Sequence, residues 1–282
     1  MLIVKVGGPS TGELENILKD FAQIEGPKIL LHGASNFRDQ LADDLGKPVK
    51  HITSPKGIES VRTDQDAIDV FMMSYPGYMN SRIVERLQQL DCNAVGLSGL
   101  DGGLFRGKRK NAIRSKVVSD DGSSKIVMVR DDLSGRVSEI NKDLLDLVMS
   151  GGYVPVLSLP FLSFGTPAGE SDEGELPQAC NSDNDTVAAL LAKTYDADTL
   201  LYLSNTRGLY TNFPDEDSFI SEVKYDQIDE ALESWAQRRM KRKVLGAKDA
   251  LEYGVERVVF ADMRVENPIQ KALNGEGTVF AI

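Results

Sequence analysis

The chain has 282 residues, 41% of them hydrophobic and 27% charged, which is the composition of a soluble globular protein and not of a disordered one. Its 32 Lys and Arg against 43 Asp and Glu give a formal charge of −11, which argues against nucleic acid as a general partner, because phosphate binding draws on a basic surplus. Two cysteines and two histidines exclude a disulfide framework, a His-rich zinc site and any mechanism needing several imidazoles.

The opening MLIVKVGG runs straight into a strand-like segment and not into a basic-then-apolar leader. No apolar stretch reaches the roughly 18 residues needed to cross a bilayer. A cytoplasmic enzyme with no membrane partner is therefore expected. Six short apolar runs follow in order: LIVKV (2–6), KILLH (28–32), AVGLS (94–98), YVPVLSL (153–159), TLLYLS (199–204) and RVVFAD (257–262). They are rich in Val, Ile and Leu and do not alternate, as expected of strands covered on both faces. Helical spacing marks 12–24, 36–44, 64–89, 141–150, 184–195, 226–236 and 240–253. Alternating strand and helix predicts an α/β protein with an open, mainly parallel sheet. Two stretches break the rhythm. Residues 104–140 hold apolar-alternating runs around the turn signal DDGSS and predict β-hairpins. Residues 163–180 are rich in Gly, Pro and acids and read as a loop or a further hairpin.

Ligands in such sheets bind beyond the carboxyl ends of the strands, so the residues that follow each strand carry the candidates. Lys5-Val6-Gly7-Gly8 follows the first strand: the glycines admit a close ligand and the lysine is a compact cation, although a strand ending in a plain turn has the same look. His32-Gly33-Ala34-Ser35 follows the second. It either aims amides and a helix N-terminus at an anion or is an ordinary turn with Ser35 as the N-cap. Arg62 stands at the mouth of a helix that Thr63 or Asp64 would cap, where it could clamp a carboxylate or lie solvated. Gly102, Gly107 and Lys108 fit GxxxxGK, but Arg109 replaces the hydroxyl residue and no helix follows, so a P-loop is rejected. Asn181-Ser182-Asp183-Asn184-Asp185 holds more polar groups than a cap needs, with Asp185 placed to hold two lysines. Met240-Lys241-Arg242-Lys243 opens a helix, where cations are unfavourable unless an anion neutralises them.

Taken in order, KxGG at 5–8, HG at 32–33, GIxxxRTD at 57–64, NxDxD at 181–185, LSNTRGLY at 203–210 and MKRKVLGAKDAL at 240–251 resemble the amino acid kinase family, in its acetylglutamate-kinase-like branch. VGLSGLDGGLFRGKRK (95–110), SGRV (134–137) and ADMRVENPIQKALNGEGT (261–278) are similar to the subgroup acting on aminoadipate or glutamate tethered to the LysW carrier protein, in lysine or arginine biosynthesis. The resemblance implies a single domain with a three-layer α/β/α sandwich, hairpins on the acceptor side, an acceptor-binding half over about 1–181 and a nucleotide-binding half over about 182–282. It implies ATP with Mg²⁺ carried mainly by the nucleotide, and a homodimer or higher oligomer. By position, Lys5 and Lys243 would contact the ATP phosphates and Asp185 would orient both lysines. Gly8 and Gly33 would donate backbone amides. Arg62 and Asn181 would hold the acceptor's backbone-side carboxylate, with Gly33 and Ala34 also on the substrate. Three departures from the family pattern stand out: Ala34-Ser35 where HGGG is common, Arg238-Arg239 where glycines are common, and Asn205 where an aspartate is common. Arg106, Lys108, Arg109, Lys110, Arg114 and Lys116 form a run of cations without an acid. That run reads either as a solvated hairpin flank or as the dock for an acidic LysW-like carrier. The alternatives are a kinase of free N-acetylglutamate and a non-catalytic metabolite sensor.

Overall fold

Five of the six apolar runs stand side by side in the middle of one mainly parallel sheet, almost wholly buried, and AVGLS pairs with one of them. The structure is a computed structural model describing residues 1–8, 11–55, 57, 59–118, 123–164, 176–237 and 239–282. The sheet has eleven strands. From one edge, its path runs Glu222–Lys224, Thr278–Ala281, Arg257–Asp262, Thr199–Ser204, Leu2–Val6, Lys28–His32, Val154–Ser163, Phe105–Arg109 and Gly135–Ile140. Ala94–Gly99 and Gln178–Cys180 also pair with Val154–Ser163. All five residues of Lys28–His32 are buried. Full burial of an aliphatic side chain stabilises by about 1.5–3 kcal/mol, so these strands fix the core.

Helices cover both faces. Asn184–Thr194 and Arg239–Glu252 pack together on one side, while Thr11–Gln23, Ser81–Gln88 and Pro268–Leu273 lie on the other. The expected α/β/α sandwich is therefore found. The first strand is the switch point: Lys28–His32 flanks it on one side and Thr199–Ser204 on the other, both parallel to it. Chain crossing in opposite directions from one strand opens a crevice at its carboxyl end.

The structure departs from the sequence expectation in several places. The helix expected over 64–89 is α-helical over Gln65–Met72 and Ser81–Gln88, with a π-helical segment, Met73–Asn80, between them. Pro76 lies inside that segment and has no N–H to donate, which favours the wider turn. The helix expected over 226–236 is a single α-helical turn, Ile228–Glu230, followed by a π-helical turn, Ala231–Trp235. A short hairpin of His51–Thr53 and Glu59–Val61 was not foreseen. Nor was Thr278–Ala281, which pairs antiparallel to Arg257–Asp262. The expected hairpins are present: Ile113–Val118 pairs with Ser124–Val129, and Phe105–Arg109 with Gly135–Ile140. The centre of the DDGSS turn and the middle of the 163–180 stretch lie outside the described residues, as does Arg238. Phe161–Ser163 pairs antiparallel to Gln178–Cys180, so the latter stretch begins and ends as a hairpin. Among the described residues no helix is long and apolar enough to cross a membrane.

Candidate functional site

Two glycine turns meet at the switch point. Gly7 donates its amide to the Leu203 carbonyl at 3.1 Å, and Gly33 donates to the Val6 carbonyl at 3.0 Å, which binds the second turn to the first. A Cβ at Gly8 would sit 2.5 Å from Ser35 Oγ and 2.9 Å from Ser35 N, so only glycine fits there. Asn36 Nδ2 donates to the Gly8 carbonyl at 2.8 Å. Ser35 does not act as the N-cap. It is the first residue of the helix Ser35–Asp44; Ala34 occupies the cap position and supplies no side-chain hydrogen bond. The first amides of this helix are thus left without a side-chain acceptor, beside two glycine turns. Such an end favours an anion.

His32 is structural. It is fully buried, and burial pushes its pKa down to about 4, so the ring is neutral. Asn80 Nδ2 can only donate, so His32 Nε2 accepts from it at 3.1 Å, and Nδ1 faces the Gly33 carbonyl at 3.3 Å. Asn80 also donates to the Val156 carbonyl at 3.0 Å. A Cβ at Gly96 would lie 1.8 Å from Asn80 Oδ1. The π-helical segment therefore ends on a buried amide that holds His32, and with it the second glycine turn.

Beside this cradle one carboxylate holds two lysines. Asp185 Oδ1 is 2.5 Å from Lys5 Nζ and 3.4 Å from Lys243 Nζ. The three side chains are only 8–12% exposed. Burial works against the charge of Lys5, yet the contact with Asp185 keeps its pKa above the usual lysine value. Lys243 is pushed down to about 8 by burial, and the Lys5 charge adds to this against the pull of Asp185. Burial alone would raise Asp185, but Lys243 and Lys5 hold it down to about 2. Asp183 caps the helix Asn184–Thr194, accepting from the amides of Asp185 at 2.8 Å and Thr186 at 3.2 Å. Capping and ion pairing are thus divided between neighbouring aspartates. Sequence reasoning missed Tyr202, a buried phenol that donates to the Asp185 carbonyl at 2.8 Å and lies 5.5 Å beneath Lys243 Nζ. It also missed the bonds of Arg242 to Asp183 and Glu59. Tyr202 reads as a core strand residue, and the Arg242 partners are remote in sequence, so no local signal was available.

Arg62 and Asn181 come together on the other side. Asn181 Nδ2 donates to Thr63 Oγ1 at 3.2 Å, and Arg62 Nη2 donates to Asp131 Oδ2 at 2.5 Å. Arg62 Nε is buried without a partner. Both line a cavity of about 110 Å³ with Arg38, Lys47 and Lys50. Asp64 is the cap of the following helix, accepting from the Ala67 amide at 3.1 Å.

The basic run divides by geometry. Arg109 spends its guanidinium on the carbonyls of Asp132 and Arg130, at 3.0 and 2.7 Å. Arg106 donates to the Gly103 carbonyl at 3.2 Å and lies over the Phe164 ring. Lys108, Lys110, Arg114 and Lys116 are exposed. In the hairpin, Arg114 pairs with Met128 and Lys116 with Ile126, so the four share one face, and both apolar members are exposed. Among the described residues no three His, Cys, Asp or Glu side chains gather to hold a metal.

Comparison with known proteins adds four findings. The model of the amino acid kinase family matches residues 1–262. The LysW-aminoadipate kinase of Thermus thermophilus is 47% identical over 283 residues, covering 99% of this chain and 99% of that protein. The protein of the same name from Deinococcus radiodurans is 44% identical over 282 residues, covering 99% of this chain and 91% of its own. Among solved structures, the N-acetylglutamate synthase of Neisseria gonorrhoeae with coenzyme A and N-acetyl-glutamate aligns with a TM-score of 0.72. It does so at 21% identity, over 100% of this chain and 59% of that one, a likeness of fold.

Proposed function

This chain belongs to the amino acid kinase family, and on that premise we propose that it phosphorylates the side-chain carboxylate of aminoadipate held by its amino group on an acidic LysW-like carrier protein. ATP is the donor and the setting is lysine biosynthesis in the cytoplasm. Two relatives bearing the name LysW-aminoadipate kinase, at 47% and 44% identity, support the substrate. The observation that carries the reaction is the buried carboxylate of Asp185 holding Lys5 and Lys243 at the switch point, beside the Gly8 and Gly33 turns.

The chemistry asks little of the protein beyond position and charge. An acceptor carboxylate is already ionised near neutral pH, so no general base is needed. One of its oxygens attacks the γ-phosphorus as the bond to the β,γ-bridging oxygen breaks, giving an acyl phosphate and ADP. Negative charge accumulates on the transferring group and on the leaving oxygen. Lys5 and Lys243 would neutralise it, with the amides of Gly8 and Gly33 and the helix end at Ser35 adding donors. Asp185 fixes both lysines without touching substrate. Arg62 and Asn181 would hold the acceptor's other carboxylate, with Gly33 and Ala34 also on the substrate. The acceptor half is then about 1–181 and the nucleotide half about 182–282, and the working unit is a homodimer or larger. Mg²⁺ carried by the nucleotide would shield the phosphates. Both cysteines are buried and unpaired, which fits a reducing compartment.

Lys243 makes nucleotide binding sensitive to pH. Its value of about 8 applies without a bound anion; polyphosphate favours the ammonium form, so binding above that pH requires proton uptake. Affinity for ATP should be flat below about pH 7 and fall by up to about tenfold per unit above about pH 8.5. Calorimetry in buffers of differing ionisation heat measures both the affinity and the proton uptake. A flat affinity up to about pH 9.5 would exclude Lys243 as the phosphate ligand.

The carrier is tested by comparing kcat/KM for carrier-linked aminoadipate and N-acetylglutamate at low and high salt. The proposed dock is the exposed cations Lys108 and Lys110 together with the hairpin face of Arg114 and Lys116, where Ile126 and Met128 lie alongside; Arg106 and Arg109 of the same run are engaged by protein carbonyls. Reversing Lys108, Lys110 and Lys116 to Glu should cut kcat/KM for the carrier-linked acceptor by about tenfold or more at low salt and flatten its salt dependence. Efficient use of N-acetylglutamate, with no carrier binding at low salt, would return the reading to a kinase of the free acceptor.

A further inference from the structure

Arg242 is the one member of the Lys241-Arg242-Lys243 triplet that reaches across to the acceptor side. Its Nη1 donates to Asp183 Oδ2 at 3.0 Å, and its Nη2 donates to the main-chain carbonyl of Glu59 at 3.1 Å. Asp183 Oδ1 meanwhile accepts the amides of Asp185 and Thr186. Glu59 opens the strand Glu59–Val61, which leads directly into Arg62. Arg62 in turn donates its own amide to the Lys50 carbonyl at 2.8 Å, so it is bound into the same hairpin. A single planar cation therefore joins three pieces: the helix that carries Lys243, the turn that sets Asp185, and the hairpin that ends at Arg62.

We propose that Arg242 is a positioning residue that couples acceptor binding to the placement of Lys243. The acceptor draws Arg62 and its hairpin into one position. Glu59 moves with that hairpin, and the guanidinium fork carries the movement to the residue next to Lys243. The Asp183 prong keeps the same helix in register with Asp185, so Lys243 is held most firmly against the phosphates when the acceptor pocket is filled. Lysine could not replace this link: it has one ammonium where two directed N–H groups are required. The bland alternative is a partly solvated arginine that only braces the helix. Such a brace has no reason to transmit the state of the acceptor pocket.

The inference rests on the kinase reading above. The test measures binding of a non-hydrolysable ATP analogue with and without saturating carrier-linked acceptor, in wild type, Arg242→Lys and Arg242→Ala. In wild type the acceptor should tighten nucleotide binding within the roughly 5- to 150-fold span of such couplings. In both variants that enhancement should shrink to about twofold or less, while nucleotide affinity without acceptor stays within about twofold of wild type. Turnover should fall in parallel, and added guanidinium should restore part of it in Arg242→Ala but not in Arg242→Lys. Thermal denaturation of the lysine variant guards against simple misfolding. An enhancement that survives in both variants overturns the role of Arg242, as does a wild type with turnover but no enhancement. Absence of turnover in wild type removes the kinase reading itself, and the inference with it.

Discussion

Lys243→Ala should lower kcat by about a hundredfold to a thousandfold while leaving the fold intact. The reasoning starts from the pairing. Asp185 Oδ1 is 2.5 Å from Lys5 but 3.4 Å from Lys243, so removing Lys243 leaves the tighter pair whole. The phosphate clamp loses a cation, and nothing buried is left uncompensated. Asp185→Asn behaves differently. It strands two cations, and removing one partner of a buried ion pair costs about 3–5 kcal/mol. Lys243, already near 8, would relieve this by shedding its proton, and the clamp would fail through the lysine and not through the aspartate. Turnover should therefore fall about as far in Asp185→Asn, but with a clear loss of Tm that Lys243→Ala lacks. The pH dependence has a definite sign. The folded value of Lys243 is depressed below the ordinary 10.5, so between about 8 and 10.5 the unfolded chain holds the extra proton. Over that window this group makes stability rise with pH, and Lys243→Ala should lose that component. Single-turnover rates and thermal scans across pH separate the outcomes. Near-normal turnover in both variants would remove this carboxylate and its lysines from the chemistry.

How much of this was legible in the sequence follows from where each residue stands. The six central strands were readable because burial on both faces forces continuous apolar runs. Phe105–Arg109 was placed only within a region of hairpins, since FRGKR carries three cations at a sheet margin and no run marks its ends. Thr278–Ala281 is four residues pinned by Gly277 at φ 108° and by Thr278, whose hydroxyl donates to the Ile220 carbonyl at 2.5 Å. Both partners are distant in sequence. Lys5 and Lys243 were legible because a cation near a strand's carboxyl end or in the first turns of a helix is not called for by that element, and Asp185 because the run 181–185 holds more polar groups than a cap needs. Arg242 was not, because its partners are 59 and 183 residues away.

Some motif residues proved to be scaffolding. In the 261–278 stretch, Asp262 clamps Arg264 through both oxygens at 2.8 and 2.6 Å, and Asn267 takes φ 49°. Buried Asp20 accepts the amides of Ile269 and Gln270 at 2.5 and 3.1 Å, capping the last helix. The side chains of Ala34 and Ser35, where the family commonly has glycines, are accommodated in two ways. Ala34 packs into the core at 1% exposure, and Ser35 lies against a position where glycine has no Cβ.

Arg62→Ala should raise KM for the acceptor by about tenfold to a hundredfold and leave KM for ATP within about twofold. The structure supplies the reason for the asymmetry. Arg62 lies in the cavity with Asn181, Lys50 and Lys47, none of which belongs to the lysine-carboxylate cluster of Lys5, Asp185 and Lys243. One of its ends is engaged: Nη2 donates to Asp131, whose side chain is 68% exposed. The other is idle, since Nε is buried without a partner. A carboxylate entering the cavity can take the idle donor and displace Asp131 from the engaged one, gaining a two-pronged contact. Asp131 is then a competitor for the same cation. Asp131→Asn should consequently move acceptor KM in the opposite direction to Arg62→Ala, lowering it by about two- to fivefold because an exposed ion pair is worth little to break. In the double variant the Asp131 substitution should have no further effect, since the cation it competes for is gone. Initial-rate measurements varying one substrate at a time read all three. If Asp131→Asn raised acceptor KM as Arg62→Ala does, the ion pair would be holding Arg62 in place for the acceptor and not competing with it; equal effects of Arg62→Ala on both substrates would take Arg62 out of the acceptor site.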